Sequence, residues 1–186
     1  MHVRSLLRLD ARLSDAVRLA EKPGIPRTLA VFFATSGDSW FWGAALVLLW
    51  ALGNGYWKHW AVIVLASISA LAVLVMSLKF LIRRRRPVGD WGSIYRNTDP
   101  HSFPSGHAAR AFLIAVLAAG LGSGWLAWVL WVWAPLVSVA RVAMGVHYLS
   151  DIAAGMITGI IIGIVILQIQ APVLVSLMSF LQLSLW

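Results

Sequence analysis

The stretch S102-F-P-S-G-H-A-A-R-A-F112 opens a run that stays apolar as far as Gly122. A histidine stands at the mouth of that run and an arginine one helical turn inside it. In a membrane helix such groups are costly, and they persist where they have a partner or a task. The reading of this stretch therefore decides both fold and function. It is a helix of a membrane bundle whose mouth carries a site.

The rest of the chain supports that reading. It has 186 residues, 60% of them hydrophobic, and a mean hydropathy of +0.82. Only 12% are charged, against about a quarter in a soluble domain. The expected fold is all-α: a polytopic helical bundle, one domain over residues 1–186. Cysteine is absent, which excludes disulfides and thiolate metal sites. The net charge of +8 would suggest nucleic acid in a soluble protein. Here the basic residues lie outside the apolar segments. They point instead to membrane lipids and an anionic substrate, with no nucleic-acid partner.

Hydropathy places five spans. They cover about 28–52, 60–82, 104–122, 125–144 and 147–168. The tail 172–186 is apolar but short, and reads as a sixth partial span or an interfacial helix. Residues 1–27 repeat Leu6, Leu9, Leu13, Val17 and Ala20 at helical spacing, with Arg8, Arg12 and Arg18 among the polar positions. This predicts an amphipathic helix that lies on the membrane surface or packs on the loops of its own protein. Gly37-Asp38 is an acidic break in the first span, expected near one end or facing the bundle. Trp57, Trp60, Trp125 and Trp128 should share one face as an aromatic belt. Gly155, Gly159 and Gly163 recur every fourth residue. That spacing suits close packing inside the bundle or, as the second choice, a dimer seam.

Three polar clusters remain: Lys79 to Pro87, Pro104 to His107 and Arg141 to Asp151. With alternating spans all three fall on one membrane face. Lys79, Arg86 and Arg141 supply fixed positive charge, and an arginine can grip a phosphate with two parallel bonds. Ser105 and Gly106 open a helix, where free N–H groups and the helix dipole favour an anion. His147 and Asp151 are four apart and are expected on one face of the fifth helix. A carboxylate there can fix the imidazole tautomer, which makes His147 the candidate nucleophile and His107 the candidate acid on the leaving oxygen. Arg110, three residues after His107, is expected to line the same pocket or to pair with Asp38. Asp99 and His101 are expected near the headgroup. Arg83, Arg84 and Arg85 read equally well as a topology signal.

These motifs resemble the type 2 phosphatidic acid phosphatase superfamily, whose pattern is Lys-x6-Arg-Pro, Pro-Ser-Gly-His and Ser-Arg-x5-His-x3-Asp. Lys79 with Arg86-Pro87, Pro104 to His107, and Arg141, His147 and Asp151 match it. The resemblance implies a metal-free, cofactor-free phosphatase that works through a phosphohistidine on His147. His107 would be its acid and base, and Lys79, Arg86, Ser105, Gly106 and Arg141 would hold phosphate. Ala140 departs from the pattern, which has serine there. The implied substrate is a phospholipid or polyprenyl phosphate or pyrophosphate. Transfer to an alcohol acceptor, or headgroup binding or transport without turnover, are the alternatives. The expected location is the inner cell membrane, with the N-terminus and the site on one face. Residues 1–27 hold six Lys or Arg while the opposite short loop has only Lys58, which places that face in the cytoplasm.

Overall fold

A computed structural model describes residues 2–89, 91 and 99–180. Seven helices make up the described residues: α1 (His2–Ala16), α2 (Ile25–Ser36), α3 (Ser39–Leu52), α4 (Gly55–Ile82), α5 (Gly106–Gly120), α6 (Trp125–Ala143) and α7 (Leu149–Phe180). Among the described residues, three stretches are long and apolar enough to cross a membrane: Gly55–Ile82, Trp125–Ala143 and Leu149–Ala171.

The helix opened by the quoted stretch is the centre of the bundle. Every residue of α5 from Ala108 to Ala118 is buried, because α4, α6 and α7 pack around it. A helix enclosed on all sides can be apolar all round. It can also be short: at ~1.5 Å per residue, its 15 residues span only about 22 Å.

The close fit on α7 comes from the glycine stripe. A Cβ at Gly155 would lie 2.5 Å from the Ser105 carbonyl oxygen, and one at Gly163 would lie 2.8 Å from Val116 Cγ1. At Gly159 it would strike the Ala109 carbonyl. The stripe is spent on packing inside the chain, and α5 covers the surface that a dimer seam would need.

The expected first span is two helices. Helix α2 packs on α6, where Ala30 and Ala34 cluster with Ala140 and Met144, while α3 packs on α4 and touches α6 through Trp42 on Trp133. The break at Gly37-Asp38 faces inward, since a Cβ on Gly37 would lie 2.7 Å from Val137 Cγ1. The aromatic belt also needs correction. Trp125 and Trp128 are exposed, but Trp60 is buried in the core beside Leu46 and Val64. The last helix runs on through Phe180, and the tail beyond it lies outside the described residues.

At the end opposite the Trp125–Trp128 pair, α1 lies across the bundle. Its polar edge faces the protein: the Leu149 N–H donates to Ser14 Oγ at 2.9 Å, and the Ser150 N–H donates to Asp10 Oδ1 at 3.1 Å. Leu6, Leu9 and Leu13 stay exposed on the other edge. Both halves of the amphipathic pattern are thus visible, and the polar half bonds the start of α7.

Candidate active site

Each of the three polar clusters is bent toward one cavity by local chain chemistry. Helix α4 ends on Arg83, which adopts a left-handed conformation (φ 53°) with its N–H bonded to the Lys79 carbonyl. Left-handed caps are usually glycine, and a side chain there costs about 1–2 kcal/mol. Beyond this turn the chain is no longer helical, and Arg84 reaches Asp151 while Arg86 reaches His147. Ser105 caps α5, accepting from the Ala108 N–H, and its own N–H donates to the Asp151 carbonyl at 3.0 Å. The second and third clusters are thereby joined through the backbone.

The cavity holds about 480 Å³. Lys79, Arg86, Arg110 and Arg141 line it together with His107, His147, Asp38, Asp99 and Gly106. Trp40, Ala72 and Met76 complete the wall between α3 and α4, where Trp40 and Met76 are also exposed on the outer surface.

His147 lies in the turn between α6 and α7, two residues before the helix begins. Arg86 Nη1 is 3.1 Å from its Nε2. Arginine can only donate, so Nε2 carries the lone pair and the ring proton sits on Nδ1. Nδ1 faces Asp151 Oδ2 at 3.5 Å. Burial, with the Arg86 and Arg141 guanidiniums alongside, pushes the imidazole down to about 3, against the pull of Asp151. The ring is therefore neutral, as a nucleophile requires. The expected face-sharing of positions 147 and 151 on one helix is corrected here. Helix α7 begins at Leu149, and the pair meets because Asp151 reaches back to accept from the Tyr148 N–H at 2.9 Å.

Across the cavity, His107 Nε2 is 2.8 Å from Asp38 Oδ1. A carboxylate only accepts, so the proton is on Nε2. Arg110 lines the cavity, one of its two expected placements, but does not pair with Asp38. Its Nε and Nη2 donate to the Gly37 carbonyl at 2.9 and 2.5 Å, and Nη1 donates to Ser39 Oγ. The guanidinium holds the helix break while Asp38 is occupied by His107.

The match to a family model spans residues 60–173 and has the description PAP2 superfamily. The chain belongs to the PAP2 superfamily. A probable lipid phosphate phosphatase beta of Arabidopsis thaliana is 29% identical over 185 residues, 84% of this chain and 86% of that one. A decaprenylphosphoryl-5-phosphoribose phosphatase of Mycobacterium tuberculosis is 35% identical over 112 residues, 59% of this chain and 60% of that protein. The PAP2-type phosphatidylglycerolphosphate phosphatase of Bacillus subtilis shares the fold, with a TM-score of 0.74 and 23% identity over 92% of this chain and 89% of that one. Aquifex aeolicus LpxE has a TM-score of 0.64 and 27% identity, over 83% and 93%. The protein is thus an enzyme of a phosphatase family.

Within this PAP2 chain, some motif positions do not reach the cavity. Ser105 is fully buried, and its hydroxyl serves the cap. Ala140 sits against Ala30 and Ala34 of α2. A serine there would face that helix rather than the cavity. His101 is also outside, edge-on to Phe80. Asp99 is inside, where Lys79 and Arg86 both pair with its Oδ2. The sequence reading missed the partners of three residues. Asp38 holds His107, Arg84 pairs with Asp151 at 2.8 Å, and Asp10 pairs with Arg84 at 2.6 Å. The only signal for Arg84 was its membership of the basic run.

Proposed function

We propose that the protein hydrolyses a membrane lipid phosphate or pyrophosphate without a metal, through a phosphohistidine on His147. One observation carries this: two histidines of opposite assigned polarity face a cavity ringed by Lys79, Arg86, Arg110 and Arg141. One presents a lone pair beside Arg86, and the other carries a proton held by a carboxylate.

A phosphoryl group between these cations has its charge compensated by donors on several sides. His147 Nε2 attacks phosphorus. The bond from phosphorus to the lipid oxygen breaks, and that oxygen takes a proton from His107 in its imidazolium form, which keeps its Nε2 proton on Asp38 and is left as the neutral ring. Asp151 holds the Nδ1 proton and stabilises the charge the ring acquires. Water then attacks the phosphohistidine and gives its proton to His107, and the bonding pair returns to His147 Nε2. Proton transfer of this kind contributes about 10²–10⁴-fold.

A lipid substrate is favoured by the apolar wall of Trp40, Ala72 and Met76, which would leave a hydrocarbon chain in the bilayer while its phosphate enters the cavity. The substrates named for the relatives point the same way. We further read α2 and α3 as one broken span and α5 as a short central one, with the site in the cytoplasmic half of the inner membrane.

The test is phosphate release by purified protein in detergent. The panel is phosphatidic acid, phosphatidylglycerol phosphate, polyprenyl phosphate and polyprenyl pyrophosphate, each with EDTA present and with His147→Ala in parallel. EDTA-resistant release that disappears in the variant supports the proposal, and no release from any of the four overturns it. Sidedness is read by placing a cysteine at Val88, which is exposed at the site end, in this cysteine-free chain. Labelling by an impermeant thiol reagent in intact cells would overturn the cytoplasmic assignment.

A further inference from the structure

The nucleophile's partner, Asp151, has no exposed surface. A carboxylate taken fully out of water needs a compensating charge. His147 does not supply it at rest, because its ring is neutral. Arg84 does: Nη1 donates to Asp151 Oδ1 at 2.8 Å. Arg84 is not held by the cavity. It stacks on the Tyr148 ring, 4.0 Å from the centroid, and Nη1 also donates to Ser150 Oγ at 2.6 Å. Its other arm, Nη2, donates to Asp10 Oδ2 of α1 at 2.6 Å.

Asp10 is itself fixed from the far side. It accepts from the Ser150 N–H at 3.1 Å and from the Ser150 hydroxyl at 2.5 Å, so it caps the start of α7 from outside the helix. The segment after α1 adds two more ties to the same end. The Ala20 N–H donates to the Ala143 carbonyl at 3.1 Å, and Arg18 Nη2 donates to the Val88 carbonyl at 2.6 Å.

We infer that the N-terminal helix is part of the active-site framework: Asp10 sets Arg84, and Arg84 fixes the Asp151 carboxylate that orients His147. This rests on the roles proposed above for His147 and Asp151. Asp10 and Arg84 are positioning residues. Neither lines the cavity, so their removal should leave phosphate binding alone and slow the chemistry. Without Arg84 the buried carboxylate must take up a proton from solvent or turn away from His147. Either change removes the tautomer that aims the Nε2 lone pair at phosphorus.

The test uses the full-length protein in detergent, with phosphatidic acid or polyprenyl phosphate, whichever the wild type turns over faster. Arg84→Gln is expected to lower kcat about tenfold or more at unchanged KM, the scale seen when an outer partner of a functional group is lost. Arg84→Lys should recover part of that loss. Asp10→Asn separates positioning from folding, because asparagine caps a helix as well as aspartate does but cannot pair with Arg84 as a charge. It should lower kcat with the thermal midpoint unchanged. The double variant Asp10→Asn/Arg84→Gln should be no slower than Arg84→Gln alone, since both act through one chain of contacts. Wild-type kcat in folded Asp10→Asn, or losses that multiply in the double variant, overturns the inference even where His147→Ala is inactive. Turnover retained by His147→Ala would instead remove the reading on which it rests. If Arg84→Gln does not give monodisperse protein, Asp10→Asn and Arg84→Lys decide.

Discussion

His107 Nε2 lies 2.8 Å from Asp38 Oδ1, joining the first turn of the central helix to the break in the first span. Asp38 occupies the N-cap position of α3 yet makes no side-chain cap bond there. Its carboxylate is turned to the histidine instead, and Arg110 holds the Gly37 carbonyl before it and the Ser39 hydroxyl after it. Asp38→Asn keeps the shape and removes the charge that stabilises the protonated ring. It should lower kcat about a hundredfold, the low end of what acid–base catalysis contributes. Arg110 on the same helix, with Lys79, Arg141 and His147 from other elements, also faces the ring, and all remain in the variant. Wild-type kcat in folded Asp38→Asn would show that Asp38 does not hold the acid.

Asp99 places a carboxylate where a substrate phosphate would otherwise meet Lys79 and Arg86. A phosphoryl group must compete with it for the same donors. Asp99→Asn should therefore tighten inhibition by inorganic phosphate, by about threefold to tenfold given the 1–3 kcal/mol scale of charged hydrogen bonds partly offset by solvent. Steady-state inhibition measured at several phosphate concentrations reads this directly. Weaker inhibition in the variant would mean that Asp99 mainly organises the two cations for phosphate.

Much of the site was legible because its residues mark helix ends, and helix ends show in hydropathy. Lys79, Arg86, His107, Arg141 and His147 each stand where an apolar run starts or stops, and alternation of the spans then brings them together. What stayed hidden was partner choice. Four consecutive arginines look alike in sequence. Only the left-handed turn at Arg83 decides that Arg84 swings to Asp151 and Arg86 to His147. Asp38 and Arg110 were both visible as charges inside apolar segments, and their pairing was the natural guess. The inward-facing break instead offers Arg110 an open carbonyl at Gly37, and that leaves the carboxylate for His107. Asp10 could not be connected to Arg84 from sequence, since nothing in the periodicity of α1 says which polar residue touches the bundle.

His147 also gives a pH dependence to stability. Its folded value of about 3 lies below the ~6.5 of an unfolded chain, so between these limits the unfolded state binds the extra proton. Stability is complete above about pH 6.5 and declines as pH falls toward 3. Arg86 and Arg141 oppose protonation and Asp151 favours it. The thermal midpoint in detergent should drop between pH 7.5 and pH 5, and the drop should be smaller in His147→Asn. Equal drops in the two proteins would assign the acid sensitivity to other groups.

The glycines offer a contrast that tests the packing of the central helix. Gly43 lies within α3, and a Cβ there would meet nothing within 4 Å. Gly43→Ala should be neutral or stabilising by up to about 1 kcal/mol, the helix-propensity difference. At Gly159 the added methyl would meet the Ala109 carbonyl, which is backbone and cannot rotate away. Gly159→Ala must push α7 off α5, and overpacking of this kind costs about 1–3 kcal/mol. The displacement would also reach the site, because Ser105 at the head of α5 is bonded to Asp151 at the head of α7. Gly159→Ala should therefore lower both the thermal midpoint and kcat, whereas Gly43→Ala should lower neither. A Gly159→Ala protein with wild-type stability would show that α5 and α7 are not packed at the distance described.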